Sequence, residues 1–145
     1  MGDFWRVLSA QLVHVKWPHM LYNVVCLFAV GTLIEQQVGS LRTLLVWAVV
    51  GGIATVFSPT FVEPPYDIGT GASQAVLALT GCGIVFIASG QIKGLLPKIV
   101  IASALIPAIG LDMVFAGYPK IGHVLALIGG SVVGAIFAKT PGQAS

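Results

Sequence analysis

Charge is what this sequence has least of. Of its 145 residues, 8% are Asp, Glu, Lys or Arg, against 57% hydrophobic residues and a mean hydropathy of +0.97. So little polar surface cannot coat a soluble domain of this size, which leaves an integral membrane protein. The seven basic and five acidic residues are scattered singly, with a net charge of +2. No basic stripe forms, and nucleic acid is excluded as a partner. Cysteine is almost absent as well: Cys26 and Cys82 lie inside apolar runs, so no disulfide framework or metal-ligand spacing is expected. The sequence has no His-Glu-x-x-His, and Asp112 is the lone acid of the last three apolar runs. Zinc-dependent and paired-carboxylate proteolysis therefore lack their chemistry, and no cofactor or metal is expected. The start "MGDFWRVLSA" has neither a basic region nor a continuous apolar core, so no cleavable signal peptide is expected.

Long apolar runs are what is present. A bilayer-crossing helix needs roughly 20 mostly apolar residues, and charges with Pro/Gly clusters cut the chain into five such runs: 18–38, 42–61, 70–89, 96–116 and 121–138. The separators "EQQVGSLR", "FVEPPYDIGTG", "SGQIKGLLPK" and "AGYPK" are short, so neighbouring spans run antiparallel. The expected fold is all-α, a polytopic transmembrane helix bundle. Arg42, Lys93, Lys98 and Lys139 fall on one side and Arg6, Lys16 and Lys120 on the other, which favours the first side as cytoplasmic. Trp5, Trp17, Tyr66 and Tyr118 fall at interfaces, where aromatics anchor membrane proteins.

Alternation also places the starts of the first, third and fifth spans at the same, non-cytoplasmic face. The polar residues within spans gather there: His19 and Asn23, Ser73 and Gln74, and His123. Such residues are costly in a membrane and mark function. His19 and Asn23 are four apart and share one helix face. His123 shares a face with Ala126, Gly130 and Gly134, and Ser73 with Gly69 and Gly81, so two small-residue stripes allow close packing that brings Ser73 to His123. Histidine is the usual base for a serine nucleophile. The Asn23 amide, a His19 N–H and the Ser73 backbone N–H are candidate donors to a developing oxyanion. No carboxylate is assigned to orient the base. The bland alternatives are interhelical hydrogen bonding for His19 and Asn23, and helix spacing for Ser73.

The stretches "WR" at 5–6, "HVKWPHMLYN" at 14–23, "GTLIEQQVGSLR" at 31–42, "GASQA" at 71–75 and "GH" at 122–123 resemble, in order and spacing, the rhomboid family of intramembrane serine proteases. The resemblance implies a single rhomboid-like membrane domain over 1–145, with 1–17 the remainder of the first loop. It implies Ser73 as nucleophile, His123 as base, and His19, Asn23 and the Ser73 N–H as the oxyanion hole. Trp5 and Arg6 would hold the first loop, with His14 and Gly71 as further motif positions. His14 is read as a loop or interface residue, and Asp112 as structural or interfacial. Two side chains depart from the family pattern: Gln74 stands where a glycine usually follows the serine, and Leu77 where an aromatic usually stacks on the catalytic histidine. The family core has six spans, so the first core helix is expected to be absent from this chain.

The function so implied is hydrolysis of a peptide bond in or near a transmembrane segment of another protein, by a Ser-His dyad. The expected partners are that substrate and membrane lipid. The expected location is the bacterial cytoplasmic membrane, with the site opening to the non-cytoplasmic side, and residues 61–69 are expected to cover it. The alternative is a catalytically inactive rhomboid-like protein that binds transmembrane segments.

Overall fold

A computed structural model describes residues 5–14, 16–58, 72–114 and 120–139, with the side chains of 6–8 and 120 left aside. The expected cover at 61–69 lies outside the described residues, as does Gly71. Every regular element among the described residues is a helix: α1 (Trp5–Ala10), α2 (Trp17–Val38), α3 (Ser40–Leu45), a π-helical segment (Val46–Val50), α4 (Gly51–Phe57), α5 (Ser73–Ala88), α6 (Leu95–Val114) and α7 (Lys120–Lys139). Residues Ser40–Phe57 form one continuous helical rod. It joins α2, α6 and α7 as a helix long and apolar enough to cross a membrane.

Local chemistry sets the boundaries. Pro18 occupies the first turn of α2, where its missing N–H costs nothing. Gly39 alone reverses the chain from α2 to α3, at a φ of 83° that suits glycine. Its N–H donates to Glu35 O at 2.8 Å, and the Ser40 hydroxyl donates to the Glu35 carboxylate. Arg42 does not join that pair, lying instead over the Phe137 ring at 5.5 Å. Gln91 Nε2 donates to Ala138 O at 3.1 Å, so the ends bearing Arg42, Lys93, Lys98 and Lys139 gather at one end of the bundle.

The other helices surround α5. Ser73 to Gly83 are all buried, and Phe86 is fully so. By contrast Phe28, Leu96, Ile106 and Ile128 are each more than half exposed on the outer helices. In water such a surface would aggregate, whereas in lipid it meets its own kind. At 16 residues, α5 is about 24 Å long, shorter than the roughly 30 Å hydrocarbon core. Being enclosed by protein, it need not match the bilayer, and its first residue, Ser73, can start below the interface.

The pairing of α5 with α7 is the most extensive in the molecule. It is backbone on backbone: a Cβ added at Gly130 would overlap the Ala78 backbone, and one at Gly134 would lie 2.8 Å from Cys82 Cα. Cys82 Sγ donates to Gly130 O at 3.0 Å across the same seam. The π-helical segment adds a residue to one turn, after which Gly51 faces α5, where a Cβ would lie 2.7 Å from Ala75 Cα.

Candidate active site

The close approach of α5 and α7 decides where their first residues meet. Ser73 opens α5 and His123 lies in the first turn of α7. Ser73 Oγ is 3.0 Å from His123 Nε2, with both residues buried. Gly122, just before the histidine, is small because Ser58 occupies the space: a Cβ there would lie 2.7 Å from Ser58 Oγ.

A carboxylate stands on the far side of the imidazole. Asp112 Oδ1 and Oδ2 lie 2.9 and 2.8 Å from His123 Nδ1, with side chains only 13% and 5% exposed. On sequence no carboxylate is assigned to the histidine and Asp112 is read as structural or interfacial; the structure sets Asp112 against the imidazole. Position 112 is eleven residues before position 123 in sequence, yet the last turn of α6 lies beside the first of α7 at this pair. The signal was Asp112 being the lone acid in the last three spans, near the site's end of the bundle.

A cavity of about 20 Å³ adjoins the pair, lined from α2 by His19, Tyr22 and Asn23, from α5 by Ser73 and Leu77, and from α6 by Ala104 and Ala108. That is room for one water molecule. Asn23 is 2% exposed and its amide Nδ2 has no hydrogen-bond partner among the described residues. A buried, unpaired donor costs about 1–3 kcal/mol, so it is either a defect or a donor kept for a ligand. No side chain caps α5, and the first N–H groups of a helix have no acceptor within it. The uncapped N–H groups of α5 thus lie at the end of the helix that carries Ser73.

Two more side chains hold the start of α5. His14 Nε2 accepts the Ala72 N–H at 3.2 Å, while Nδ1 faces Leu12 O at 3.3 Å, so His14 fastens the residue before the serine to the first loop. Its ring also lies 5.8 Å from that of His19, beyond the loop role expected for it. Gln74 is 1% exposed; its Oε1 accepts from the Ser73 hydroxyl at 3.0 Å and its Nε2 reaches Ser58 Oγ at 3.5 Å. Gln74 thus lies outside the cavity lining and ties Ser73 to the end of α4. Trp5 lies on α1, 65% exposed and outside the cavity lining, and the Arg6 side chain lies outside the described residues. Sequence reasoning missed Tyr22, whose hydroxyl donates to Ser103 O on α6. It also missed Ser58, which no pattern singles out.

Comparison with known proteins gives the family. A family model for the rhomboid domain matches residues 1–140. The chain is 33% identical over 131 residues to the rhomboid protease GluP of Bacillus subtilis, covering 89% of this chain and 25% of GluP. It is 34% identical over 87 residues to the rhomboid protease GlpG of Haemophilus influenzae, covering 59% and 42% of the two chains. With AarA of Providencia stuartii, another rhomboid protease, it shares 24% over 157 residues, covering 94% and 56%. The chain spans well under two thirds of the length of each of these relatives. A family match over nearly the whole chain, on an all-helical bundle with four span-length helices, shows that this multi-pass integral membrane protein belongs to the rhomboid family.

Proposed function

We propose that this protein is an intramembrane serine endopeptidase, cleaving a peptide bond in or near a transmembrane segment of another membrane protein. The observation that carries this reading is the 3.0 Å approach of Ser73 Oγ to His123 Nε2 within a lipid-facing bundle. In the acylation step Nε2 takes the hydroxyl proton as Oγ attacks the carbonyl carbon. The oxyanion that forms accepts hydrogen bonds from Asn23 Nδ2, His19 and the Ser73 N–H, which offsets the cost of keeping the Asn23 amide buried and unpaired. The proton then passes from Nε2 to the departing amine, and water later hydrolyses the acyl-enzyme with the same histidine as base. No cofactor enters the scheme. The site opens to the non-cytoplasmic face, a reading supported by the four basic residues at the opposite end.

The test is cleavage by the reconstituted protein of single-span substrates in liposomes. New termini within the membrane segment, identified by mass spectrometry, are the expected result. A second reading, a rhomboid-like protein that binds segments without cutting them, draws on the hydrogen bond by which Gln74 competes for the serine proton. Under that reading the substrate co-purifies intact, and the protease assignment fails.

A cavity sized for one water cannot hold a peptide, so a substrate must part the helices around it. The α2–α6 contact is small, and the Tyr22 hydroxyl is its polar tie. Tyr22→Phe is expected to speed cleavage of a membrane substrate about fivefold, the worth of one hydrogen bond of about 1 kcal/mol. Reaction with a small soluble fluorophosphonate should be unaltered, because the probe needs no such opening. The two rates are compared on the same preparation.

Gln74→Ala removes the acceptor that competes with His123 for the serine proton. The labelling rate at Ser73 is expected to rise by about fivefold on the same hydrogen-bond scale, and the melting temperature to fall as the tie to Ser58 is lost. A labelling rate that falls would make Gln74 part of the machinery.

A further inference from the structure

We infer that Asp112 is a positioning residue that turns the serine and histidine into a triad, and that it takes over the orienting task an aromatic at position 77 would otherwise perform. The inference rests on the protease reading above. Both Asp112 oxygens lie within 2.9 Å of His123 Nδ1. A carboxylate accepts hydrogen bonds, so Nδ1 carries the proton and Nε2 presents its lone pair to the serine hydroxyl 3.0 Å away. The tautomer that general-base catalysis needs is thus imposed from the far side of the ring.

Helix packing alone does not account for this pair. Among the described residues α6 and α7 hardly touch elsewhere, each packing instead on α5. Asp112 reaches His123 from the last turn of a helix whose only other polar side chain from Ile99 to Leu111 is Ser103. A carboxylate within a membrane span is costly and is retained where it has a partner and a task. Leu77, one turn along α5 from Ser73, is 2% exposed and lines the cavity with His123. Its aliphatic side chain fills space without offering a ring face to the imidazole, so ring orientation falls to Asp112.

During acylation the Ser73 O–H bond breaks, Oγ bonds to the carbonyl carbon and the proton passes to Nε2. The resulting imidazolium is held by the Asp112 carboxylate, which keeps its charge and takes no proton. Collapse of the tetrahedral species breaks the C–N bond as Nε2 returns the proton to the leaving nitrogen. Asp112 touches neither substrate nor reacting atoms. Ala104, Ala108 and Leu111 of the same helix line the cavity, so the helix that bounds the cavity carries the group that orients the base.

Two measurements test this on the full chain. In protein with ¹⁵N-labelled histidine, His123 is expected to be protonated at Nδ1 and not at Nε2 in the resting state. The opposite neutral tautomer would overturn the inference without recourse to any variant. Asp112→Asn and Asp112→Ala are expected to lower kcat by about 10²–10⁴-fold, as when the third member of such a triad is lost, with KM for the substrate unchanged. Wild-type kcat in both variants would show Asp112 to be a structural residue while leaving the serine protease standing. Absence of any Ser73 reactivity in the wild type would instead sink the protease reading itself.

Discussion

Ser73→Ala is expected to bring cleavage of a membrane substrate to background, and His123→Ala to do the same. The loss should be on the order of 10⁶-fold, the scale seen when a nucleophile and base act as a unit. The reason is geometric. Oγ and Nε2 are one hydrogen bond apart at 3.0 Å, and each is useless without the other: an unassisted serine hydroxyl is a poor nucleophile, and a histidine with no hydroxyl to deprotonate has no substrate atom within reach. The double variant is therefore expected to be no slower than either single one. Turnover of purified wild-type and variant proteins, reconstituted at equal density, checks this. A double variant much slower than both singles would mean that the two residues act independently, contrary to the mechanism. Neither substitution overpacks the bundle, but His123→Ala leaves the Asp112 carboxylate without its partner, so thermal melting is the control for folding.

The second large effect lies away from the chemistry, at Gly130. A Cβ there would overlap the Ala78 backbone, and helix backbones cannot yield locally as a flexible side chain can. Gly130→Val is expected to push α7 off α5, costing about 1–3 kcal/mol or more of stability as an overpacked core does. Because Ser73 and His123 sit on these two helices, even a shift of about 1 Å costs on the order of 10²-fold in rate. Both melting temperature and labelling of the serine should fall. Gly110→Ala is the matched control, since a Cβ at Gly110 meets nothing within 4 Å. It should leave both readings unchanged or raise stability slightly through better helix propensity. Equal behaviour of the two variants would mean that the small-residue seam does not set the site.

Much of this arrangement was legible in the sequence, and the legible parts share a cause. Spans announce themselves by uninterrupted hydropathy, and antiparallel alternation follows from short connections. The glycine and alanine spacing on the fifth run told which helix α5 would meet. Those same regularities place His19, Asn23, Ser73 and His123 at one end of the bundle. What was hidden depends on side-chain direction and on helix ends. Asp112 was visible as an isolated acid, yet only the register of α6 against α7 decides whether it faces lipid or the imidazole. Gln74 stood out only as a departure from the glycine that usually follows the serine; in the folded chain it turns toward Ser58 and accepts the serine's hydrogen bond. The third run was expected to be of full span length. The described helix of 16 residues is enclosed by the others, a fate that composition alone does not distinguish from contact with lipid. His14 gave no chemical hint either, because its role is to accept a backbone N–H from a residue 58 positions later.

These particulars bear on how the site stays reactive in a membrane. Polar groups adjoin one another from Asp112 through His123 and Ser73 to Gln74 and Ser58, with His123 Nε2 and Gln74 Oε1 competing for the single serine proton. Asn23 Nδ2 stands outside that chain, and it is one of the three donors proposed for the oxyanion. Asn23→Ala would remove that donor together with a buried defect.

The central claim is that Ser73 is a nucleophile activated by His123. Its most direct measurement is reaction of the folded, reconstituted protein with a fluorophosphonate, followed by peptide mapping of the adduct. One phosphonyl group on Ser73, absent from His123→Ala protein that melts normally, is the result expected. An adduct on another residue, or no adduct on well-folded wild-type protein, would contradict the account.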